Sequence, residues 1–446
     1  MSSAAKPHSP LSLEDFPKGQ PPLLEDYADT GLSAGVLTSL LLKVMYAQGM
    51  RTGRQLMDVV RLPFAFVDDR LADMQHRRMV EVRGTSGPNR AGYHFELTNA
   101  GRERAREALD ATQYVGAAPV PLEQYVAWTL RQSIAHARVS AEEVREGFRG
   151  LVLQDTMLNM LGPAINSAKS LFLYGAPGNG KTFISETIAD LLGGSIYIPH
   201  AIEVDGQIMT LYDPIYHHQV PDDPGIPEES WLRPPFGYDR RFIRIRRPVV
   251  LVGGELTLDQ LDLKYDPFAK MYAAPFQLKA NGGVLILDDF GRQRIPPRDL
   301  LNRWIVPLEK RIDYLSLHTG GKFPVPFDTL LIFATNLAPT ELVEEAFLRR
   351  IHYKINVLGP DPEAFREIFR RCCEERGLVY NEAAVHYLFD EWYGRRGIEP
   401  RACHPRDILD HVLDISNFRQ VEAHLSRELV ERACRSYFLD DVRATT

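Results

Sequence analysis

Apolar residues recur along this chain in three successive rhythms. Between residues 31 and 115 they keep helical spacing, which predicts helices over Val36–Ala47, Thr52–Val60 and Phe64–Met79. Two short strand-like pieces, Val80–Arg83 and Tyr93–Leu97, flank the turn-rich stretch 84–92, and a last helix covers Asn99–Ala108. The prolines and small residues of 116–121 mark a linker, and 122–168 reads as two or three helices. From 169 to about 358 unbroken apolar runs alternate with helical patterns, as a parallel sheet requires. Beyond Pro360 the spacing is helical again, over Glu363–Arg376, Asn381–Gly394, His404–Asp414 and Glu422–Phe438. The expected architecture is therefore α/β. It has a parallel-sheet core over 150–358, a helical lid over 359–446 and an N-terminal domain over 31–115, joined by 116–149. Residues 1–30, rich in Pro, Ser and acids, are expected to be disordered.

The first apolar run of the core, Leu171–Tyr174, leads directly into Gly175-Ala176-Pro177-Gly178-Asn179-Gly180-Lys181-Thr182. This fits the phosphate-binding pattern G-x-x-x-x-G-K-[ST] in its required setting of strand, glycine loop and helix. Turning backbone N–H groups inward around an anion needs freedom at Gly175, Gly178 and Gly180. Lys181 then reaches the β- and γ-phosphates, and the Thr182 hydroxyl ligates Mg²⁺. The helix Phe183–Leu192 points its positive end at the same phosphates. These eight residues predict a bound nucleotide.

Two more apolar runs end in polar groups. Gly283–Leu287 ends in Asp288 and Asp289, which places carboxylates beside the glycine loop. Asp288 is the candidate magnesium-side acid, with Thr182, and Asp289 the candidate that polarises the attacking water. Leu330–Thr335 ends in Asn336, whose uncharged amide can hold that water or the terminal phosphate. Stabilising a transferring phosphoryl group also calls for guanidinium groups from outside the loop. Arg350 and Arg406 are the candidates.

Together these residues resemble the AAA+ ATPase superfamily over roughly 150–446. The resemblance assigns Walker A to Gly175–Thr182, Walker B to Leu285–Asp289 and sensor 1 to Asn336. The arginine finger falls on Arg350, with Arg349 as the fallback, and sensor 2 on Arg406. It implies ATP and Mg²⁺ as cofactors, ATP hydrolysis and a homo-oligomeric ring, a hexamer, because the finger must come from a neighbouring subunit. One position departs from the family: Asp289 stands where a glutamate is usual, which draws the carboxylate back by about one methylene. The words Ala280–Asp288 are similar to those of MoxR-type ATPases and enhancer-binding activators. The stretch 311–326 matches the hairpin that this clade carries before sensor 1, with its turn at Gly320-Gly321. The activators' Gly-Ala-Phe-Thr-Gly-Ala loop is absent. The order of elements over 31–115 resembles a winged helix-turn-helix.

Charge refines the picture. The 446 residues carry a net charge of −7, which argues against a surface made to coat nucleic acid. Residues 31–115 hold twelve Lys or Arg against nine Asp or Glu, and Asp68, Asp69 and Asp73 sit on the helix that would read DNA. A protein client is therefore favoured, while nucleic-acid contact through the wing, near Arg83 and Arg90, stays open. The four cysteines lack C-x-x-C spacing and read as reduced thiols, which points to the cytoplasm. The longest apolar stretch, Val36–Ala47, is broken by Lys43, so no membrane insertion is expected. An insertion is expected around 203–265. In it, Ile243 and Ile245 alternate with Arg244 and Arg246, as on a solvated edge strand. His217-His218 reads as a solvated loop pair.

Overall fold

The computed structural model describes residues 19–221, 237–342 and 345–438. In the N-terminal part, α1 (Ala34–Gln48), α2 (Gly53–Val60) and α3 (Phe64–His76) close around Leu37, Leu41, Leu56, Val67 and Leu71. A small antiparallel sheet in the order β1 (Arg51–Thr52), β3 (Tyr93–Leu97), β2 (Val80–Thr85) lies against them, followed by α4 (Asn99–Ala111). Helix α3 stops short of the expected Met79 because Arg78 takes a positive φ of 57°. Residues 19–30 do not share the disorder expected for 1–30. Asp26 caps the turn Tyr27–Thr30, and Leu24 and Thr30 are buried. Residues 1–18 lie outside the described residues.

The chain continues through β4 (Val120–Pro121), α5 (Leu122–Arg131), α6 (Ala141–Gly147) and α7 (Asp155–Ser167) into β5 (Ser170–Tyr174) and α8 (Lys181–Leu192). It then leaves the core as β6 (Ser195–Pro199), β7 (Ala201–Val204), β8 (Gln207–Thr210) and β9 (Phe242–Arg246), and returns as β10 (Val249–Val252). A second excursion makes β11 (Lys264–Asp266), β12 (Met271–Ala273) and α9 (Phe276–Lys279) before β13 (Val284–Leu287). Next come α10 (Pro297–Arg303), α11 (Ile305–Lys310), the hairpin β14 (Ile312–Ser316) and β15 (Lys322–Pro326), then β16 (Leu330–Thr335) and β17 (Tyr353–Asn356). The hairpin turns where the sequence predicts, with Gly320 at a φ of 92°.

Five strands form one fully parallel sheet in the order β10-β13-β16-β5-β17. Its strands are apolar throughout because both faces are covered. Leu171, Leu173, Ile286 and Ile332 face α6, α7 and α8, whereas Phe172, Leu285, Leu331 and Phe333 face Phe290 and Trp304. The expected insertion over 203–265 is thereby corrected, since Val249–Val252 is an edge strand of the core itself. What is added is a second sheet, β11-β12-β8-β7-β4. Ala201, Ile208 and Met271 carry its packing into the core of the N-terminal domain.

Strand β9 is not a free edge. It pairs with β6 on one side, and residues 218–220 bond to it on the other. Arg244 bonds the Ser195 hydroxyl at 2.8 Å. His217 is buried and satisfied at both nitrogens, by the Asp213 N–H and the Lys279 carbonyl, each at 2.9 Å, so it is no solvated loop residue.

The C-terminal helical unit comprises α14 (Pro362–Glu375), α15 (Glu382–Tyr387), α16 (His404–Arg419) and α17 (Arg427–Tyr437), preceded by the short α12 (Pro339–Leu342) and α13 (Glu345–Leu348). Past Tyr387 the predicted helix over 381–394 widens into π-helical turns over Leu388–Gly394. Helix α17 begins at Arg427, not Glu422, because Ser426 caps it through the Leu429 N–H. Among the described residues no helix is long and apolar enough to cross a membrane.

Candidate nucleotide cleft

The register of the parallel sheet brings the chemistry to one edge. Thr335 lies opposite Tyr174, and Leu287 opposite Phe333, so Gly175, Asn336 and Asp288 all emerge at the strands' carboxyl ends. This is the edge of an α/β sheet at which ligands bind. The loop between β5 and α8 needs its glycines. Gly175 has a φ of 140°, and a Cβ there would meet the Val357 carbonyl oxygen at 2.4 Å. At Gly178, φ is 84° and a Cβ would meet the Cys403 sulfur at 2.5 Å. Only glycine is accommodated at either position.

Lys181 opens α8, and its Nζ donates to the carbonyls of Gly175 and Ala176 at 2.9 Å each. Burial holds its amine below the usual lysine range. Asp288 and Asp289 draw it back up, and Arg401 pushes it further down. The Thr182 hydroxyl donates to Asp288 Oδ2 at 2.8 Å, which joins the two expected metal-side residues. Asp289 sits at a positive φ of 49°, and its Oδ1 accepts from the Asn336 amide at 3.2 Å. The residue expected to polarise water and the amide expected to hold it are thus adjacent.

These groups open onto a cleft of about 820 Å³, with Pro177, Gly178, Asn179, Gly180 and Arg406 along its walls. Its far side is built by 150–157 and by the strap 357–361, which the Gln154 amide ties through Asp361 Oδ2 at 2.9 Å. The helical unit closes over the glycine loop. The Cys403 N–H donates to the Gly178 carbonyl at 2.9 Å, and the Ala402 N–H to Asn179 Oδ1 at 3.3 Å. Arg406 lines the cleft while its Nε donates to Asp407 at 2.9 Å.

Arg350 is the predicted residue that this convergence leaves out. Its carbonyl accepts from Ser170, at the start of β5, so it lies at the opposite end of the strand from the glycine loop. Its guanidinium bonds Glu309 at 2.5 Å. Sequence reasoning missed the strap 357–361 and the segment 400–404, which touch the loop across more than 170 residues of chain. Nothing local in the sequence marks either segment as lying on the loop.

The donor set fits a nucleotide with a hard divalent cation. Mg²⁺ takes one or two protein oxygens and completes its shell from phosphate and water. Thr182 and Asp288 offer two such oxygens next to a glycine nest and a buried lysine.

A family model described as a domain of unknown function (DUF8689) matches residues 361–436, within the helical unit. No curated protein matches the chain. Among solved structures it is similar to NtrX from Brucella abortus, with 15% identity over 67% of this chain and a TM-score of 0.39. That alignment spans 58% of the NtrX chain. It is also similar to the RuvB Holliday junction branch migration motor of Thermotoga maritima, with 14% identity over 64% of this chain and 69% of that one, at a TM-score of 0.36. Likenesses this distant carry no argument about this chain. Its own strand order and cleft show an α/β protein of P-loop type with a helical C-terminal unit.

Proposed function

We propose that this protein is an AAA+ ATPase that hydrolyses Mg²⁺·ATP and works as a homo-oligomeric ring, a hexamer, to remodel or assemble a protein partner in the cytoplasm. One observation carries the reading: the glycine loop with Lys181, the Thr182–Asp288 pair and the Asp289–Asn336 pair converge on a single cleft.

Backbone N–H groups of Gly178–Thr182 would cradle the phosphate chain, and Lys181 would exchange loop carbonyls for charged phosphate oxygens, which are stronger acceptors. Thr182 and Asp288 would hold Mg²⁺, whose charge offsets the negative charge developing between β- and γ-phosphates. Asp289 would orient and deprotonate the attacking water while Asn336 fixes the carboxylate by its amide. Arg406 would sense the nucleotide from the helical unit and so change the angle between unit and core. Arg350, remote from its own cleft, would serve a neighbouring copy. Val306, Ile312 and Tyr314 expose apolar surface on the elements flanking its partner Glu309, as a contact between copies requires.

We read the N-terminal domain as a winged helix that selects a protein. Arg90 is taken by Asp68 at 2.6 Å, and Arg83 by Glu81 and Glu96 at 2.6 and 3.1 Å. These pairs leave the wing a weak footprint for a phosphate backbone.

Two variants test the site in separate steps. Lys181→Ala should weaken ATP binding by tenfold or more, about the worth of a charged hydrogen bond. Asp289→Asn should keep binding and lose roughly 100-fold or more in turnover, the usual scale for a general base. Full ATP affinity in the first variant, or full turnover in the second, contradicts the assignment.

A further inference from the structure

We propose that Arg401 is a phosphate-contacting residue, a second cation that the helical unit brings to the glycine loop beside Arg406. The inference rests on the nucleotide reading above and assigns to that cleft a residue outside the recognised motifs.

Segment 400–404 lies directly on the loop. Besides the bonds from Ala402 and Cys403, the Pro400 carbonyl oxygen packs so tightly on Gly359 that a Cβ there would lie 2.4 Å away. Arg401 is fixed within this segment at both ends. Its N–H donates to His404 Nδ1 at 3.2 Å, and its carbonyl accepts from the His404 N–H at 3.1 Å. Its Cδ lies 3.7 Å from where a Gly178 Cβ would stand, so the side chain runs along the loop.

The two arginines differ in what holds them. The Arg406 guanidinium is engaged by Asp407, which also accepts from the Tyr437 hydroxyl at 2.9 Å. Among the described residues no hydrogen bond or ion pair engages the Arg401 guanidinium. It nevertheless stands close enough to Lys181 to help depress that amine. A solitary surface arginine is ordinarily just hydrated. Here a fixed backbone aims one at a loop that already carries a buried lysine. Two cations on one anion nest repel each other until a multiply charged anion lies between them, and a nucleoside polyphosphate is such an anion.

The test is calorimetric titration of the full-length protein, wild type and Arg401→Ala, with Mg²⁺·ATP, Mg²⁺·ADP and AMP. The variant should bind ATP and ADP about tenfold more weakly and AMP as the wild type does, since one charge-assisted contact to the phosphate chain is lost. Its melting temperature without nucleotide should be unchanged. Should Arg401→Ala melt early, Arg401→Gln, which keeps most of the side chain, serves the same comparison. Wild-type affinity for ATP and ADP overturns the proposal. So does an equal loss for all three ligands, which would mean general damage to the cleft. A wild-type protein that binds none of them overturns the nucleotide reading itself.

Discussion

Two histidines, His404 buried and His200 partly buried, give this protein an acid-sensitive side at the scale of single residues. Burial lowers His200 and His404 from the ordinary 6.5 to about 4. Both stay neutral in the folded chain while the unfolded chain takes up protons, so the unfolded state binds more protons between about 6.5 and 4. Stability is then full above the upper value, falls as pH falls through that window and levels below it. The melting temperature, followed from about pH 7 to about pH 5, should drop, and His404→Gln should reduce the drop. A level midpoint across the range contradicts this. His404 also supports segment 400–404 on the glycine loop, so the same titration should loosen the lid's hold on the cleft. Residue chemistry of this kind was partly legible in the sequence. Lys181, Thr182, Asp288, Asp289 and Asn336 were readable because each follows a strand at a spacing that phosphate chemistry dictates. Arg401 was not, because its relation to Gly178 exists only after two distant segments fold together.

Among the elements, legibility followed burial. Strands β5, β13 and β16 are covered on both faces and read as unbroken apolar runs. β10 has one exposed member, Leu251, spans four residues and follows an arginine-rich segment, so its place in the core sheet was hidden. The second sheet was hidden for another reason. Its strands have two to four residues each and come from separate segments, so only long-range pairing defines them. Besides the packing of Ala201, Ile208 and Met271, a buried arginine just before β9 ties this region to the N-terminal part. Arg241 is fully buried, pairs with Asp239 at 2.8 Å, and donates to the carbonyls of Thr30 and Pro119 and to the Gln124 amide oxygen. Arg241→Ala would strand a buried carboxylate and release three segments at once. It should cost about 3–5 kcal/mol, as breaking a buried pair does, and expose the linker near Pro119 to protease. An unchanged urea midpoint and digestion pattern would show that the domains hold together without it.

For the whole molecule, the arrangement makes the N-terminal domain a fixed extension of the parallel-sheet core. It is continuous with the second sheet through Ala201 and Ile208, and that sheet packs on β6, which follows the phosphate-loop helix α8. A change at the glycine loop thus has a packed route to the N-terminal domain, to which we assign partner selection. We propose that this cleft hydrolyses ATP only when a second copy completes it with Arg350. The most direct test is the Mg²⁺-dependent ATPase rate per subunit over a concentration series, with Lys181→Ala and Arg350→Ala subunits also assayed singly and mixed. A shared site gives a per-subunit rate that climbs with concentration, no activity in either variant alone, and partial recovery on mixing. A rate independent of concentration, or Arg350→Ala protein that hydrolyses as the wild type does, would show a site complete within one chain and contradict it.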